Sequence, residues 1–298
     1  MRKPIVAGAT ALLAVAAAGL AVTGVVVNAR PADAALGDVP ADCSASTTAY
    51  RADLQRLTYR YSAQKTSIGA YANDNPTSFV PTAHQNLGGA GDDTVFRSTD
   101  YAAHPSQDHL YKVSREGKLV DGTWHIVNSS SSHISNGFAS TRILAYAHPY
   151  LYRVTGSSLY RYTLNADGVP TAKVKLSGTA WNTVNTLVYE RTEGTGTAAV
   201  DVLIGTKANG ELKEWRIKRA TPTSSIASTV LKQVGWAKFT SLSTGYCSAH
   251  TGGRVLLGIT ATGAASVHFD ANAKDRDGSD IKGGSLGELG WTAKAYGQ

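Results

Sequence analysis

Five phrases in the chain open on a small residue, three of them running on into an alternating apolar strand, and this recurrence limits the fold more than any other feature of the sequence. They are "LGGAGDDTVFRS" from Leu87, the weakest, "NGFASTRILAYAH" from Asn136, "TAWNTVNTLVYER" from Thr179, "VGWAKFTSLSTGY" from Val234 and "LGWTAKAYGQ" from Leu289. Four of them follow the small residue with an aromatic one. The small residues Gly88, Gly137, Ala180, Gly235 and Gly290 lie 49, 43, 55 and 55 positions apart. Periods of this size mark propellers and repeat arrays, in which no unit can bury its apolar surface alone.

Within each interval an apolar strand, a polar turn and an alternating strand follow the opening phrase. The pairs read "HLYKVSREGKLV" from His109, "YLYRVTGSSLYRYTL" from Tyr150, "DVLIGTKANGELKEWRI" from Asp201 and "RVLLGITATGAASVHF" from Arg254. The segments "REGK", "TGSS", "ANGE" and "ATGA" all carry Gly and predict hairpin turns, Asn209-Gly210 most strongly. A fourth strand then leads back to the next opening phrase, as "STVLKQVGW" does. No amphipathic helix interrupts the pattern, so the expectation is an all-β, five-bladed β-propeller with four antiparallel strands per blade. Blades are expected over 88–136, 137–179, 180–234 and 235–289. The ring closes in a composite blade built from 42–87 and 290–298, because unpaired end blades would expose strand edges.

Residues 1–34 stand outside this domain of 35–298. Arg2 and Lys3, a long apolar run from Pro4 to Asn28 and the Ala32-Asp33-Ala34 site have the layout of an export signal cleaved near Ala34. The run is also long enough to span a bilayer as an anchor, but the A-x-A site favours release, with no membrane insertion afterwards. In an exported chain the two cysteines, Cys43 and Cys247, are most simply a disulfide. It would clasp the composite blade to its neighbour. The formal charge of +7 falls to +5 once Arg2, Lys3, Arg30 and Asp33 are removed with the leader. Because Lys and Arg never cluster, this mild excess is read as a solvated surface, and no nucleic-acid partner is expected.

The phrase Gly235-Trp236-x-x-Phe239-x-x-Leu242 resembles the G-W-x-x-F-x-x-L opening of each repeat in tachylectin-like five-bladed propellers, here in a secreted, bacterial, actinomycete-like form. "GELKEW" and "SSLYRY" are similar to that family's G-x-L-Y hairpin. The resemblance covers 88–298. It implies a secreted lectin without catalysis, binding N-acetylated amino sugars of cell-surface or cell-wall glycans at pockets between blades. The drifting period, Phe138 in place of Trp, and Gly at position 89 imply fewer than five intact pockets.

A sugar site needs an aromatic plate for the apolar sugar face and polar groups for its hydroxyls. By position the candidates are Trp181 with Asn182 and Asn185, and Trp236 with Lys238; a Trp recurring once per blade is first of all inter-blade packing. Trp124 and Trp215 fall on expected third strands and are assigned to packing. Eight histidines show no H-E-x-x-H spacing, and no nucleophile elbow or P-loop is read, so no metal, no cofactor and no enzyme activity is expected. "DANAKDRDGSD" from Asp270 fails the EF-hand register and is read as an acidic turn. Glu190, Glu193 and Asp201 are the carboxylates considered, and set aside, for a glycosidase pair. A protein-interaction module of a secreted assembly is the alternative function, and an extracellular hydrolase or lyase comes third.

Overall fold

The computed structural model describes residues 30–31, 38–71, 73–288 and 295–297. The expected signal segment with its Ala34 site lies outside these residues, apart from Arg30–Pro31, and so does the Gly290 phrase, apart from Ala295–Gly297. The fold is all-β, built from antiparallel sheets of four strands joined by short turns.

The first sheet holds β1 (Arg30–Pro31), β2 (Cys43–Tyr50), β3 (Arg56–Ser62) and β4 (Lys65–Ala70). The second holds β5 (Ala83–Gly91), β6 (Val95–Ala103), β7 (His109–Val120) and β8 (Thr123–Asn136). The third runs through β9 (Thr141–Ala147), β10 (Tyr150–Thr155), β11 (Ser158–Leu164) and β12 (Pro170–Lys175). The fourth contains β13 (Val188–Glu193), β14 (Val200–Thr206), β15 (Leu212–Lys218) and β16 (Ala227–Lys232). The fifth contains β17 (Phe239–Cys247), β18 (Arg254–Thr260), β19 (Ala264–Asp270) and β20 (Lys282–Glu288), and β21 (Ala295–Gly297) returns to pair with β2. In the second to fifth sheets the strands pair in chain order.

Burial follows position in the sheet. The second strands β14 "VDVLIGT" and β18 "RVLLGIT" are buried along nearly their whole length, because both faces are covered by neighbouring sheets. Third strands such as β19, "AASVHFD", alternate. The leading strands β21, β5, β9, β13 and β17 lie beside one another in that cyclic order, and β17 lies beside β21 in turn. Around them, apolar clusters fill the seams between the second and third, third and fourth, fourth and fifth, and fifth and first sheets. The seam between first and second is polar: Arg56 and Arg115 hold Asp100 and Asp74 at 2.9–3.5 Å with all four side chains buried.

Two sequence expectations shift here. β5 begins at Ala83, before the Gly88 expected to open that sheet, so Gly88 falls inside the strand beside a bulge. As a result β7 runs unbroken through "REGK" as a third strand. The hairpin turn is Asp121-Gly122 instead, both residues at positive φ (51° and 76°) between the paired Val120 and Thr123. Asp-Gly is the favoured pair for this left-handed two-residue turn.

Cys43 and Cys247 face each other across the short β2–β17 pairing and form a disulfide, at a sequence separation of 204. This pairing joins the first and fifth sheets into one of nine strands. A loop of that length contributes up to about 5 kcal/mol in the chain-entropy model. The Cys43→Ala/Cys247→Ala variant should therefore melt on the order of 10 °C lower. Calorimetry checks this, and an unchanged melting temperature would show that β21 and the sheet seams hold the chain ends unaided.

Candidate functional site

An aromatic residue ahead of the leading strand of each of the second to fifth sheets docks on a ring from the third strand of the same sheet. Phe79 meets Tyr111 at 5.1 Å between ring centroids, Phe138 meets Tyr162 at 5.1 Å, Trp181 meets Trp215 at 5.4 Å and Trp236 meets His268 at 4.8 Å. The repeating aromatic is thus a latch that ties the entry segment of a sheet to its third strand. Phe79, missed in the sequence, is the latch of the second sheet.

At three latches further side chains pack on the aromatic residue. Phe138 is covered by Arg153, whose guanidinium carbon lies 4.9 Å from the ring centroid. Trp236 also packs on Phe239 at 5.4 Å, and is buried. Phe79 sits among His104, Tyr111 and, beyond them, His109 and His133, the last two with rings 4.2 Å apart. At the fourth latch, in the seam between the third and fourth sheets, a cavity of about 400 Å³ opens beside Trp181 and Trp215. Val184 and Ile226 give it apolar wall, Lys207 and Lys213 supply ammonium groups, and Ser225 and Ser228 supply hydroxyls, while the Ser177 hydroxyl donates to Ser224 O at 2.9 Å and accepts from Ile226 N at 3.2 Å. Trp181 is fixed by its indole N–H, which donates to Ser177 O at 3.3 Å. Gly178, at φ +93°, leaves room for this: a Cβ there would lie 3.1 Å from the indole nitrogen.

Of the expected site residues, only Trp181 lines this cavity. Asn182 is exposed in the 3₁₀ turn Trp181–Thr183, which stands where a first strand was expected, and its carbonyl accepts from Arg142 at 3.0 Å. Asn185 donates its side-chain N–H to Ala237 O at 3.1 Å and borders the axis of the ring instead. Lys238 is exposed, its ammonium 5.1 Å from the Phe239 ring centroid. Asn182, Asn185, Trp236 and Lys238 are therefore not gathered with Trp181. Trp215, assigned to packing, is a wall of the cavity, and Trp124 is on a fourth strand, β8, rather than a third. The axial cavity, bordered by His84, Asn185, Ser241 and Gly297, has about 60 Å³ of room for water, too little for a sugar ring.

The carboxylates considered for catalysis are engaged in the seams. Glu190 is bound by Arg191 and Arg254, both at 2.6 Å, and Arg191 also holds Glu193 at 2.6 Å. Burial pushes the Glu190 carboxyl up, whereas the hydrogen bond from Arg216 holds Glu193 down at about 2. Asp201 accepts from Tyr152 Oη at 2.7 Å, Thr192 Oγ1 at 2.8 Å and Arg219 Nε at 2.7 Å. The phrase G-x-S-x-G does occur, at Gly283 to Gly287, but it lies within β20 rather than on a strand-to-helix turn, and Ser285 Oγ accepts from Gly287 N at 3.0 Å. In the acidic turn after β19, Asp275 and Asp277 accept from the N–H of Asp277 and Ser279 at 2.7 and 2.8 Å. Among the described residues no three His, Cys, Asp or Glu side chains meet as metal ligands.

No family model matches the chain, and no curated protein matches it in sequence. Solved structures do. A Trp149Ala mutant of Synechocystis apocarotenoid oxygenase is 9% identical at TM-score 0.35, covering 84% of this chain and 73% of its own. A chimera of that oxygenase with RPE65 is 10% identical at TM-score 0.32, with the same coverage. Kluyveromyces lactis Hsv2 is 8% identical at TM-score 0.26 over 65% of this chain and 77% of its own. At these scores the likeness assigns no substrate or reaction. It does correct one expectation, that the chain is not an enzyme: the similar structures include an oxygenase, so this architecture gives no ground for excluding catalysis.

Burial holds the His268 imidazole down at about 4 and that of His84, on β5, at about 3, so both stay neutral in the folded chain. In the unfolded chain they protonate below about 6.5. The unfolded state then binds more protons, and stability present above pH 6.5 is lost progressively as pH falls toward 3. His268 alone accounts for up to about 3 kcal/mol of this. Urea midpoints between pH 7 and 4 should fall, and the fall should be shallower in His268→Phe; equal slopes in the two proteins would remove His268 from the account.

Proposed function

We propose that the chain is a carbohydrate-binding protein on a five-bladed β-propeller scaffold, with the cavity between the third and fourth sheets as its sugar site. The cyclic order of the leading strands and the β2–β21 pairing support the five-bladed reading, with the first sheet completed by both chain ends. The resemblance of the Gly235-Trp236 phrase to tachylectin-like repeats points the same way. Export, suggested by the leader over 1–34, belongs to this reading.

The observation that carries it is the open Trp181–Trp215 latch. Two indoles border the cavity as apolar plates for the C–H face of a pyranose, Val184 and Ile226 suit the methyl of an acetamido group, and Ser225 and Ser228 bring hydroxyls for those of the sugar. A volume of about 400 Å³ accepts one or two sugar rings.

A glycan-array screen of the purified protein tests this. N-acetylated sugars should bind, Trp181→Ala and Trp215→Ala should weaken binding about tenfold or more, as expected for loss of a stacking plate, and Lys238→Ala should leave it unchanged. A blank across the array from folded protein would turn the reading to a protein-interaction module, which the exposed Leu119, Val120 and Val127 at the end of the β7–β8 hairpin favour.

A further inference from the structure

Among the side chains that line the Trp181–Trp215 cavity there is no Asp, Glu, Asn or Gln. Sites for neutral sugars use such groups to accept from the ring hydroxyls. Here the charged groups are Lys207 and Lys213, and an ammonium only donates.

The two lysines differ. Lys207 is tied to Glu211 at 2.9 Å, so its charge is met within the protein. Lys213, half-buried on β15, forms no ion pair among the described residues, and its ammonium lies 6.0 Å from the centroid of the Trp215 ring. A positive charge with no direct ion-pair partner among the described residues, Glu211 acting on it only at longer range, therefore stands beside the indole on which a sugar ring would rest. We infer that this cavity selects an anionic sugar, one whose ring stacks on Trp215 while its acidic group accepts from Lys213. The inference rests on the carbohydrate-binding reading above and specifies its ligand class. A carboxylate and a sulfate share the chemistry that Lys213 recognises, a localised negative charge with several acceptor oxygens.

The arrangement has a geometric basis in the hairpin. Lys213 and Trp215 are two apart on one strand and so project to the same face of the sheet, where Ser228 on β16 pairs with Trp215. Charge, plate and hydroxyl thus come from two neighbouring strands whose register is fixed by the ladder.

The test is titration calorimetry of the full chain with N-acetylmuramic acid and N-acetylneuraminic acid as carboxylate probes, N-acetylglucosamine 6-sulfate as the sulfate probe, and N-acetylglucosamine as the neutral one. At least one acidic sugar should bind roughly tenfold tighter than the neutral sugar, the gain of a charge-assisted hydrogen bond. Which acidic arm shows it identifies the source of the charge. Lys213→Met, which keeps the apolar stem, should cut the preference to threefold or less, and Lys213→Arg should restore it. Neutral and acidic sugars bound equally by the parent, or a preference untouched in Lys213→Met, would overturn the inference and leave the carbohydrate reading standing. No binding of any of the four by folded protein would overturn both.

Discussion

A sheet buried on both faces has to be flanked on both sides, and that requirement organises the whole chain. Strands such as β14 and β18 carry apolar residues at nearly every position, so no sheet here can be an end piece without exposing one of its faces to water. The solution is the return of β21 to β2, which places β21 between β17 and β5 and completes the cycle of leading strands. The Cys43–Cys247 bond lies along the same edge of β2, where β17 pairs with it over only two residues. A pairing so short adds little by itself, and the covalent link keeps it in register.

Charges buried at the seams do a different job from the apolar clusters. Arg56 and Arg115 with Asp100 and Asp74, and Arg254 with Glu190 and Asp270, are pairs whose attraction is largely offset by the loss of water around them. Their consequence is positional. Apolar faces tolerate sliding, whereas a buried guanidinium that loses its carboxylate is strongly destabilised, so each cluster admits one offset between neighbouring sheets. Arg254 reaches from β18 to Glu190 on β13, and Arg56 from β3 to Asp100 on β6. The rigid seam between the third and fourth sheets, where Tyr152 and Arg219 converge on Asp201, is the one that carries the candidate site.

The repeat and its strand content were legible because they rest on local signals: a small residue before an aromatic, Gly-bearing turns and period-two alternation. Where the local signal misled, a tertiary role had taken over. Gly88 looked like an opening glycine but sits in a bulge, and the true latch, Phe79, follows Ser78 and precedes Pro81, without the Gly or Ala that marks the others. Asp121-Gly122 carries a strong local turn signal, but with Gly88 taken as the start of the sheet the turn falls one strand later than the expected hairpin. The site was only half legible. Trp181 was visible as part of the repeat, but Trp215 and Lys213 lie more than thirty positions away and become neighbours of Trp181 only through the fold.

The length of its entry segment sets the latch of the fourth sheet apart from those of the third and fifth. Phe138 precedes Thr141, the first residue of β9, by three positions, and Trp236 precedes Phe239 of β17 by three; Trp181 precedes Val188 of β13 by seven. The extra residues form the 3₁₀ turn Trp181–Thr183, and its carbonyls are held by Arg142 from β9: Asn182 O at 3.0 Å, Trp181 O at 3.4 Å and Val184 O at 2.6 Å. The short entry segments leave Phe138 and Trp236 close to their leading strands and buried. The longer one sets Trp181, itself buried against the third sheet, at the border of the cavity it shares with Trp215. An insertion that looks like decay of the repeat in sequence is thus what separates a packing tryptophan from one that borders a ligand-sized cavity.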